Sequence, residues 1–436
     1  MTNFAKLAGF VMLAVAGTAS ATCTNIIDSI PYCDDVSTII YDNVGFSGTY
    51  QAVSFMDSDT CECKFTPKSF GGGLAPLDQE LSMHFRGPIV IKKIAVYQPG
   101  GAPQKRHEHL KRHQHHAKRH AAATTTVTVT STVTKIWEEE ETGVPTPDDD
   151  FKGKGGNSGT GSGSDGSSSA PVVSKPKQKM PSQGTSGSFV RVGYWSDDGE
   201  SNGLTFMNHR GGQGSGIFDK CWGNSISYAD KSLQKGSAKP QIPDSISLSS
   251  NEEFIVMSDA PCSEGSGCGY HLPGIPAYHG FGGKNKIFAF EFSMPRGEAG
   301  GFNGNMPAIW LLNADIPKTA QYGACSCWDT GCGELDVFEV LSGNHDAVKT
   351  HYHSKQGANG GKYGGGGSPD YFKRPFDKTV KMVVEFDGNK AVAVSIVDDD
   401  VEFGPATNGF GGIKRGGFGI MAAGTSKKAS VFSVPS

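Results

Sequence analysis

The chain has 436 residues, 60 of them glycine, and its formal net charge is only −4. So small a net charge decides nothing about partners, but no basic, aromatic-interleaved stretch suggests a nucleic-acid surface. After residue 187, no apolar run approaches the roughly 18 residues of a spanning helix, so we expect no membrane span.

The first 21 residues have the pattern of a secretory signal peptide. Lys6 precedes an apolar run over residues 7–16, and Ala19-Ser20-Ala21 is a small-x-small cleavage pattern. A buried N-terminal helix is the alternative, but a cysteine-bearing segment follows at once. We therefore expect a secreted protein, extracellular or in a cell wall. Because the last residues have no apolar tail, we expect no GPI anchor.

Composition divides the rest of the chain into three parts. Residues 22–100 read as a small, cysteine-containing, β-rich module without paired carboxylates or histidines on a credible strand. Residues 101–186 combine a histidine-rich tract, three Lys-Arg pairs and Ser/Gly-rich runs, which bury too little apolar surface to fold. We expect a disordered linker there, with proteolytic cleavage at the Lys-Arg pairs and metal binding by the histidines as open alternatives. Residues 187–436 form the large domain.

The ten cysteines fall as four before the linker and six after it. An even count on each side predicts disulfides within each part, in an oxidising compartment. Zinc is the competing interpretation, but the CEC and CSC spacings are poor for one tetrahedral site. We therefore expect no metal and no cofactor.

The large domain predicts an all-β sandwich, because it is glycine-rich, has short alternating runs and shows few amphipathic helical patterns. Its strand candidates are SFVRVGYW (188–195), KIFAFEFSM (286–294), PAIWLLN (307–313), LDVFEVL (335–341), VKTHYHS (348–354) and the hairpin KMVVEF-DGN-KAVAVSIV (381–397).

GELDVFEV, residues 333–340, places three acids in an otherwise apolar strand. Glu334 and Asp336 are two apart and share a face, whereas Glu339 is at an odd offset from Glu334 and would point to the buried side. A β-bulge between residues 336 and 339 would restore the shared face. Neighbouring carboxylates repel, so one of them holds its proton near neutral pH. A retaining glycosidase needs this pairing, one carboxylate to attack the anomeric carbon and a protonated one to assist the leaving oxygen.

The segment resembles the E-x-D-x-x-E signature of the laminarinase-type β-glucanases of glycoside hydrolase family 16. KIFAFEFSMPRG and GNMPAIWLLN resemble their strands before the signature, and THYHS and VVEFDGNKAVAVSIVDD those after it. The whole arrangement resembles fungal cell-wall proteins regarded as circularly permuted 1,3-β-glucanases, in which SFVRVGYW opens the domain instead of closing it. The resemblance implies a permuted jelly-roll sandwich of the concanavalin or laminarinase type.

Carried over to this chain, the resemblance implies that Glu334 is the nucleophile and Glu339 the general acid/base, with Asp336 between them. It also implies that Trp310, on the preceding strand, is a platform for the sugar, since aromatic faces suit the apolar faces of pyranoses. The implied substrate is β-1,3-glucan of the cell wall.

Four further residues are candidate sugar contacts: His351, His353, Trp328 and Asn313. The two histidines share one face of a strand, although each can also be a packed strand residue. Trp328 stands in CSCWDTGC, a cysteine cluster that is not usual in the laminarinase set. It can wall a subsite or pack on the disulfides. Asn313 ends the strand that carries Trp310.

Three functions stay open on this evidence: a secreted endo-1,3-β-glucanase that remodels the wall, a transglycosylase using the same carboxylates, and a non-catalytic glucan-binding wall protein. We expect a monomer. Residues 22–100 could either bind glucan or complete the permuted sandwich.

Overall fold

The computed structural model describes residues 23, 25–100, 189–263, 265–343, 345–409 and 428–436. The predicted signal peptide and the predicted linker, with its histidine tract and Lys-Arg pairs, lie outside the described residues. The described residues on both sides of the long gap belong to one compact unit.

Extended strands dominate the described residues. The strands up to residue 100 are β1 (Ile26–Ile27), β2 (Ile30–Pro31), β3 (Thr38–Asp42), β4 (Gly48–Met56), β5 (Cys63–Phe70), β6 (Leu81–Arg86) and β7 (Ile89–Pro99). Those from 189 to 313 are β8 (Phe189–Ser196), β9 (Ser201–Asn202), β10 (Leu204–Asn208), β11 (Phe218–Asp219), β12 (Gly223–Asn224), β13 (Ser227–Ala229), β14 (Gly236–Ser237), β15 (Ile246–Leu248), β16 (Glu253–Ser258), β17 (Lys286–Ser293) and β18 (Ala308–Asn313).

After residue 313 the elements are a 3₁₀ turn (Trp328–Thr330), β19 (Glu334–Glu339), β20 (Ala347–Ser354), β21 (Gly364–Gly366), β22 (Phe372–Lys373), β23 (Val380–Asp387), β24 (Ala391–Val397), β25 (Ala406–Thr407) and β26 (Ala429–Ser433). The strands predicted from the alternating runs are confirmed, including the β23–β24 hairpin, in which Asp387 pairs with Ala391. Among the described residues, no helix is long and apolar enough to cross a membrane.

Two large sheets pack face to face. Sheet A runs β14-β13-β10-β16-β6-β18-β19-β20-β21, with β22 also on β20, and sheet B runs β25-β8-β7-β17-β23-β24-β3-β26, with β15 on β7 and β9 on β8. The apolar core lies between them, where Phe85 of sheet A contacts Phe290 of sheet B with ring centroids 5.7 Å apart. The predicted all-β sandwich is therefore confirmed.

Strands from the first hundred residues lie inside both sheets. β6 lies between β16 and β18, β7 between β8 and β17, and β3 between β24 and β26. Where the chain leaves β7, Pro99 pairs with Phe189, the first residue of β8. Of the two roles left open for residues 22–100, the strand order supports completion of the sandwich.

All ten cysteines are paired, and two pairs overturn a prediction. Cys23–Cys33, Cys262–Cys268 and Cys327–Cys332 are local, but Cys61–Cys221 and Cys63–Cys325 join the first segment to the last. The expectation of pairing within each part was wrong. Two disulfides join the two parts because β4 and β5 pack against loops far along the chain, and local composition does not show such packing.

The β4–β5 hairpin, residues 48–70, is called the N-terminal hairpin below. Its Val53 and Met56 pack in one apolar cluster with Met207 of β10 and Ile255 of β16. Ile255 lies opposite His84 of β6, and its neighbours along β16 point into the core. Because side chains alternate along a strand, the N-terminal hairpin covers the outer face of sheet A at β10 and β16.

Candidate active site

The acidic strand β19 is bulged where the sequence requires it. Against β18, Ile309 lies opposite Phe338 but Trp310 lies opposite Asp336, which leaves Val337 without a partner of its own. Against β20, the register shifts between Asp336 and Glu339. The extra residue lets Val337 and Phe338 both enter the core. The predicted bulge is confirmed, and it puts all three acids on the outer face.

Glu334 receives a hydrogen bond from a tryptophan. The indole Nε1–H of Trp328 donates to Oε2 of Glu334. Trp328 begins the 3₁₀ turn that the Cys327–Cys332 disulfide encloses, so the short cysteine loop holds the indole against the acid. The CSCWDTGC cluster therefore positions a polar contact to the first acid of the signature.

Asp336 is paired with a histidine on the next strand. His353 Nε2 lies 2.8 Å from Asp336 Oδ2. Burial alone lowers the pKa of His353, but the charges of Asp336 and the two glutamates outweigh it and raise that pKa to about 9. At neutral pH, His353 is therefore a cation that donates its Nε2 proton to Asp336.

His351 lies beside His353, with ring centroids 4.3 Å apart. Burial lowers the pKa of His351 to about 3, and the charge of His353 adds to this effect. His351 is therefore a neutral ring at the floor of the site, opposite Asp336 in the strand register.

Glu339 is ion-paired with Arg86, which comes from β6. The guanidinium NH2 lies 2.9 Å from Glu339 Oε1, and Nε donates to the carbonyl of Met306 at 2.7 Å. NH1 lies 4.0 Å from Glu253 on the far side. Sequence reasoning missed Arg86, although LSMHFR has polar residues at alternate positions in an apolar run, which is a signal of a polar outer face.

The three acids face two cations. Arg86 pairs with Glu339 and charged His353 pairs with Asp336, so one negative charge is left without a counter-ion. Burial raises the pKa of both Glu334 and Glu339, and Asp336 raises them further by repulsion, whereas Arg86 acts in the opposite direction on Glu339. Both glutamates therefore keep their protons to higher pH than ordinary glutamates do, which makes a protonated carboxyl group available near neutral pH.

The predicted sugar platform is nearly covered. Trp310 is 7% exposed and packs with Tyr50 of the N-terminal hairpin and Leu312 in one apolar cluster. The ring of His84 lies 5.1 Å from that of Trp310. Asn313 is buried, and its side-chain NH2 donates to Gln79 Oε1 and to the carbonyl of Cys332. The Asn313 amide is thus engaged by protein groups at the end of β18.

Open space adjoins the acids on the β20 side. One hollow is lined by Asp336, Glu339, Lys349 and His351 among others. A second is lined by residues of the cysteine loop and the loop before β21, namely Trp328, Asp329, Gly331, Gly333, His353, Ser354, Lys362 and Tyr363. Asp336 lines the first hollow, and its partner His353 lines the second.

Among the described residues, one group has side chains of the types that bind metal ions, but it does not support a metal centre. Cys262, Cys268 and His279 are close enough to share an ion, but the two cysteines are joined in a disulfide. A sulfur in a disulfide is not a thiolate, and the thiolate is the form that ligates metals.

Comparison with known proteins places this architecture in a family. Residues 187–409 match the C-terminal family model of the cell wall proteins YJL171C/Tos1, and residues 37–99 match the N-terminal one. This chain belongs to the YJL171C/Tos1 family of cell wall proteins. The two family models thus match the two segments whose strands alternate within sheets A and B.

Curated members of the YJL171C/Tos1 family extend the match over most of the chain. "Probable circularly permuted 1,3-beta-glucanase TOS1" of Candida albicans is 40% identical over 86% of this chain and 89% of its own length. The Saccharomyces cerevisiae protein of the same name is 39% identical over 85% and 88%. A probable circularly permuted 1,3-beta-glucanase of Arthroderma benhamiae is 34% identical over 82% and 83%. No solved structure matches the chain.

Proposed function

We propose that this protein is a secreted cell-wall enzyme that hydrolyses β-1,3-glucan with retention of the anomeric configuration. The observation that carries the proposal is the bulged strand β19, which presents three carboxyl groups on one outer face, where burial and mutual repulsion raise the pKa of both glutamates. Relatives of this chain are named probable circularly permuted 1,3-beta-glucanases, which supports the substrate class.

In the proposed reaction, the Glu334 carboxylate attacks the anomeric carbon while Glu339 gives its proton to the departing glycosidic oxygen. The bond from the anomeric carbon to that oxygen breaks, and a glycosyl ester on Glu334 forms. Glu339, now ionised, then takes a proton from water, whose oxygen displaces Glu334. Both carboxyl groups return to their starting states.

The neighbouring groups fit these steps. Trp328 donates to Glu334, which stabilises the carboxylate form before attack and after its release. Asp336 with His353 forms a neutral pair between the glutamates, so it adds hydrogen-bonding capacity without a net charge. Arg86 favours ionised Glu339, so Glu339 must be protonated against this preference before attack, and Arg86 stabilises the new carboxylate afterwards.

Chemical rescue tests the roles of the two glutamates. Glu334→Ala and Glu339→Ala should both abolish release of reducing ends from laminarin. With an activated aryl β-glucoside and azide, Glu334→Ala should give the α-glycosyl azide, because azide replaces the nucleophile in a single inversion. Glu339→Ala should give the β-azide, because the glycosyl-enzyme still forms. The opposite pattern would reverse the roles, and wild-type activity in both variants would refute the site.

Product lengths in the same assay test transfer as the alternative. Oligosaccharides longer than the starting material indicate that the glycosyl group passes to another sugar instead of to water. Laminarin that binds without any product at any pH would instead indicate a non-catalytic wall protein.

A further inference from the structure

The outer face of sheet A is filled on one side of the acids. Met207, Ile255 and Met257 on β10 and β16 point outward, yet all three are buried in one apolar cluster that includes Val53 and Met56 of the N-terminal hairpin. The Cys61–Cys221 and Cys63–Cys325 disulfides tie that hairpin down. A glucan chain cannot lie across β10 and β16 unless this covalently fixed hairpin moves.

The outer face of sheet A is also covered next to the acidic strand. Trp310 and His84 are 7% and 1% exposed, so neither offers the open ring face on which a pyranose stacks. At the level of Glu339, Arg86 bridges Glu339 and Glu253 and occupies the space between β19 and β16. Arg86 thus fills the space beside Glu339 on this side, and the exposed aromatic ring here is that of Tyr322, whose hydroxyl donates to Glu253.

The opposite side offers open aromatic surface. Tyr363, in the loop before β21, is 52% exposed, and its ring centroid lies 5.8 Å from that of Trp328. Lys362 lies over the Tyr363 ring at 4.9 Å and pairs with Asp329 at 3.2 Å, which braces the loop. Strand β21 consists of three glycines, so no side chain rises beside the ring.

This aromatic pair is joined to the acids by direct contacts. Trp328 donates to Glu334, and its ring lies 5.8 Å from that of His353, which binds Asp336. A sugar stacked on Trp328 and Tyr363 would therefore lie next to a unit whose anomeric carbon is at Glu334. Ring faces flanked by hydrogen-bonding groups are the usual chemistry of a carbohydrate subsite.

We propose that the cleft is one-sided: the glucan chain lies over β20 and β21, with Trp328 and Tyr363 as a glucosyl subsite, and the N-terminal hairpin admits only the end of the chain on the other side. Cleavage or transfer then takes place close to a chain end. This inference rests on the proposed function and adds to it the direction and mode of substrate binding.

Binding to an inactive protein tests the subsite independently of catalysis. The full-length Glu334→Gln protein and its Tyr363→Ala derivative are titrated with laminarihexaose in a calorimeter. We expect about tenfold weaker binding after Tyr363→Ala, since a lost aromatic contact has about that effect. Phe218→Ala is the matched control, because Phe218 is an aromatic residue 76% exposed on β11, three residues before Cys221, which is disulfide-bonded to Cys61 of the N-terminal hairpin. Equal affinity for both derivatives, or a loss with Phe218→Ala alone, overturns the subsite.

Early products of the wild-type protein test the mode of action. With laminarihexaose labelled at its reducing end, an enzyme that acts near a chain end first releases products of a single length from one end of the hexaose. With a soluble β-1,3-glucan, the viscosity falls slowly compared with the appearance of new reducing ends. A mixture of all lengths with a rapid fall in viscosity overturns the one-sided cleft but leaves the proposed function intact. No product at all, with hexaose binding retained, overturns the proposed function while the subsite stands.

Discussion

Arg86→Met removes the cation beside Glu339 and should move the alkaline limb of activity to higher pH. The guanidinium and carboxylate of the wild-type pair approach to 2.9 Å, with side chains 10% and 15% exposed. Two unit charges about 4 Å apart at an effective dielectric constant of about 20 interact by about 4 kcal/mol, or about 3 pH units. Glu253 neutralises part of the cation and solvent screens the rest, so we expect a rise of about 1–2 pH units.

The alkaline limb moves to higher pH because the substitution removes a positive charge. Without Arg86, the ionised form of Glu339 loses a stabilising partner, so its pKa rises and the acid keeps its proton to higher pH. The alkaline limb of kcat/KM reports the acid in the free enzyme, so this limb moves up. The assay is kcat/KM for laminarin from about pH 4 to about pH 10, with folding checked by circular dichroism at each end.

Two control variants separate charge from structure. Arg86→Lys keeps a cation and should leave the limb within about half a unit. Arg210→Met removes an exposed ion pair with Glu252, outside the site, and should change neither limb nor rate. If Arg86→Met leaves the limb in place or lowers it, or if Arg86→Lys moves it as far, Arg86 does not set the ionisation of Glu339.

Three further outcomes are expected. Trp328→Phe keeps the ring but removes the donor to Glu334, so kcat for laminarin should fall about ten- to hundredfold with KM nearly unchanged, and an equal rise in KM would contradict this. Removing Cys63–Cys325 with two serines should lower the free energy of unfolding in urea by about 2–4 kcal/mol, more than the same change at Cys262–Cys268, because the pairs span 262 and 6 residues. His353 has its pKa raised from 6.5 to about 9 by Asp336 against the opposing effect of burial, so its contribution to stability is complete below about pH 6.5 and lost as pH rises through about 9. Unfolding curves of wild type minus His353→Gln should show that decline, up to about 3 kcal/mol, and a flat difference would refute the pairing.

The acidic strand could be derived from the sequence in detail. The odd offset between Glu334 and Glu339, set against their apolar neighbours, required a bulge between residues 336 and 339, and β19 has one. Local alternation likewise predicted the flanking strands, because the period of buried side chains is a property of a few consecutive residues.

The other half of the site could not be derived in this way. Arg86 meets Glu339 across 253 positions of sequence, and Tyr50 joins the cluster of Trp310 from a segment set apart by the break in composition. The low-complexity stretch suggested two independent parts, so each was interpreted alone. Strand pairing over such separations depends on the shapes of complete sheets, which local patterns do not encode.

The pairing of Pro99 with Phe189 has a consequence for how the molecule would behave if it were cut. A backbone break anywhere between those residues would leave every strand that the structure describes intact, and Cys61–Cys221 and Cys63–Cys325 would still bridge the two polypeptides. The nicked molecule would migrate as one species on a denaturing gel and separate into two only after reduction. The acidic strand β19 and Arg86 would then belong to different polypeptides, held together by two disulfides.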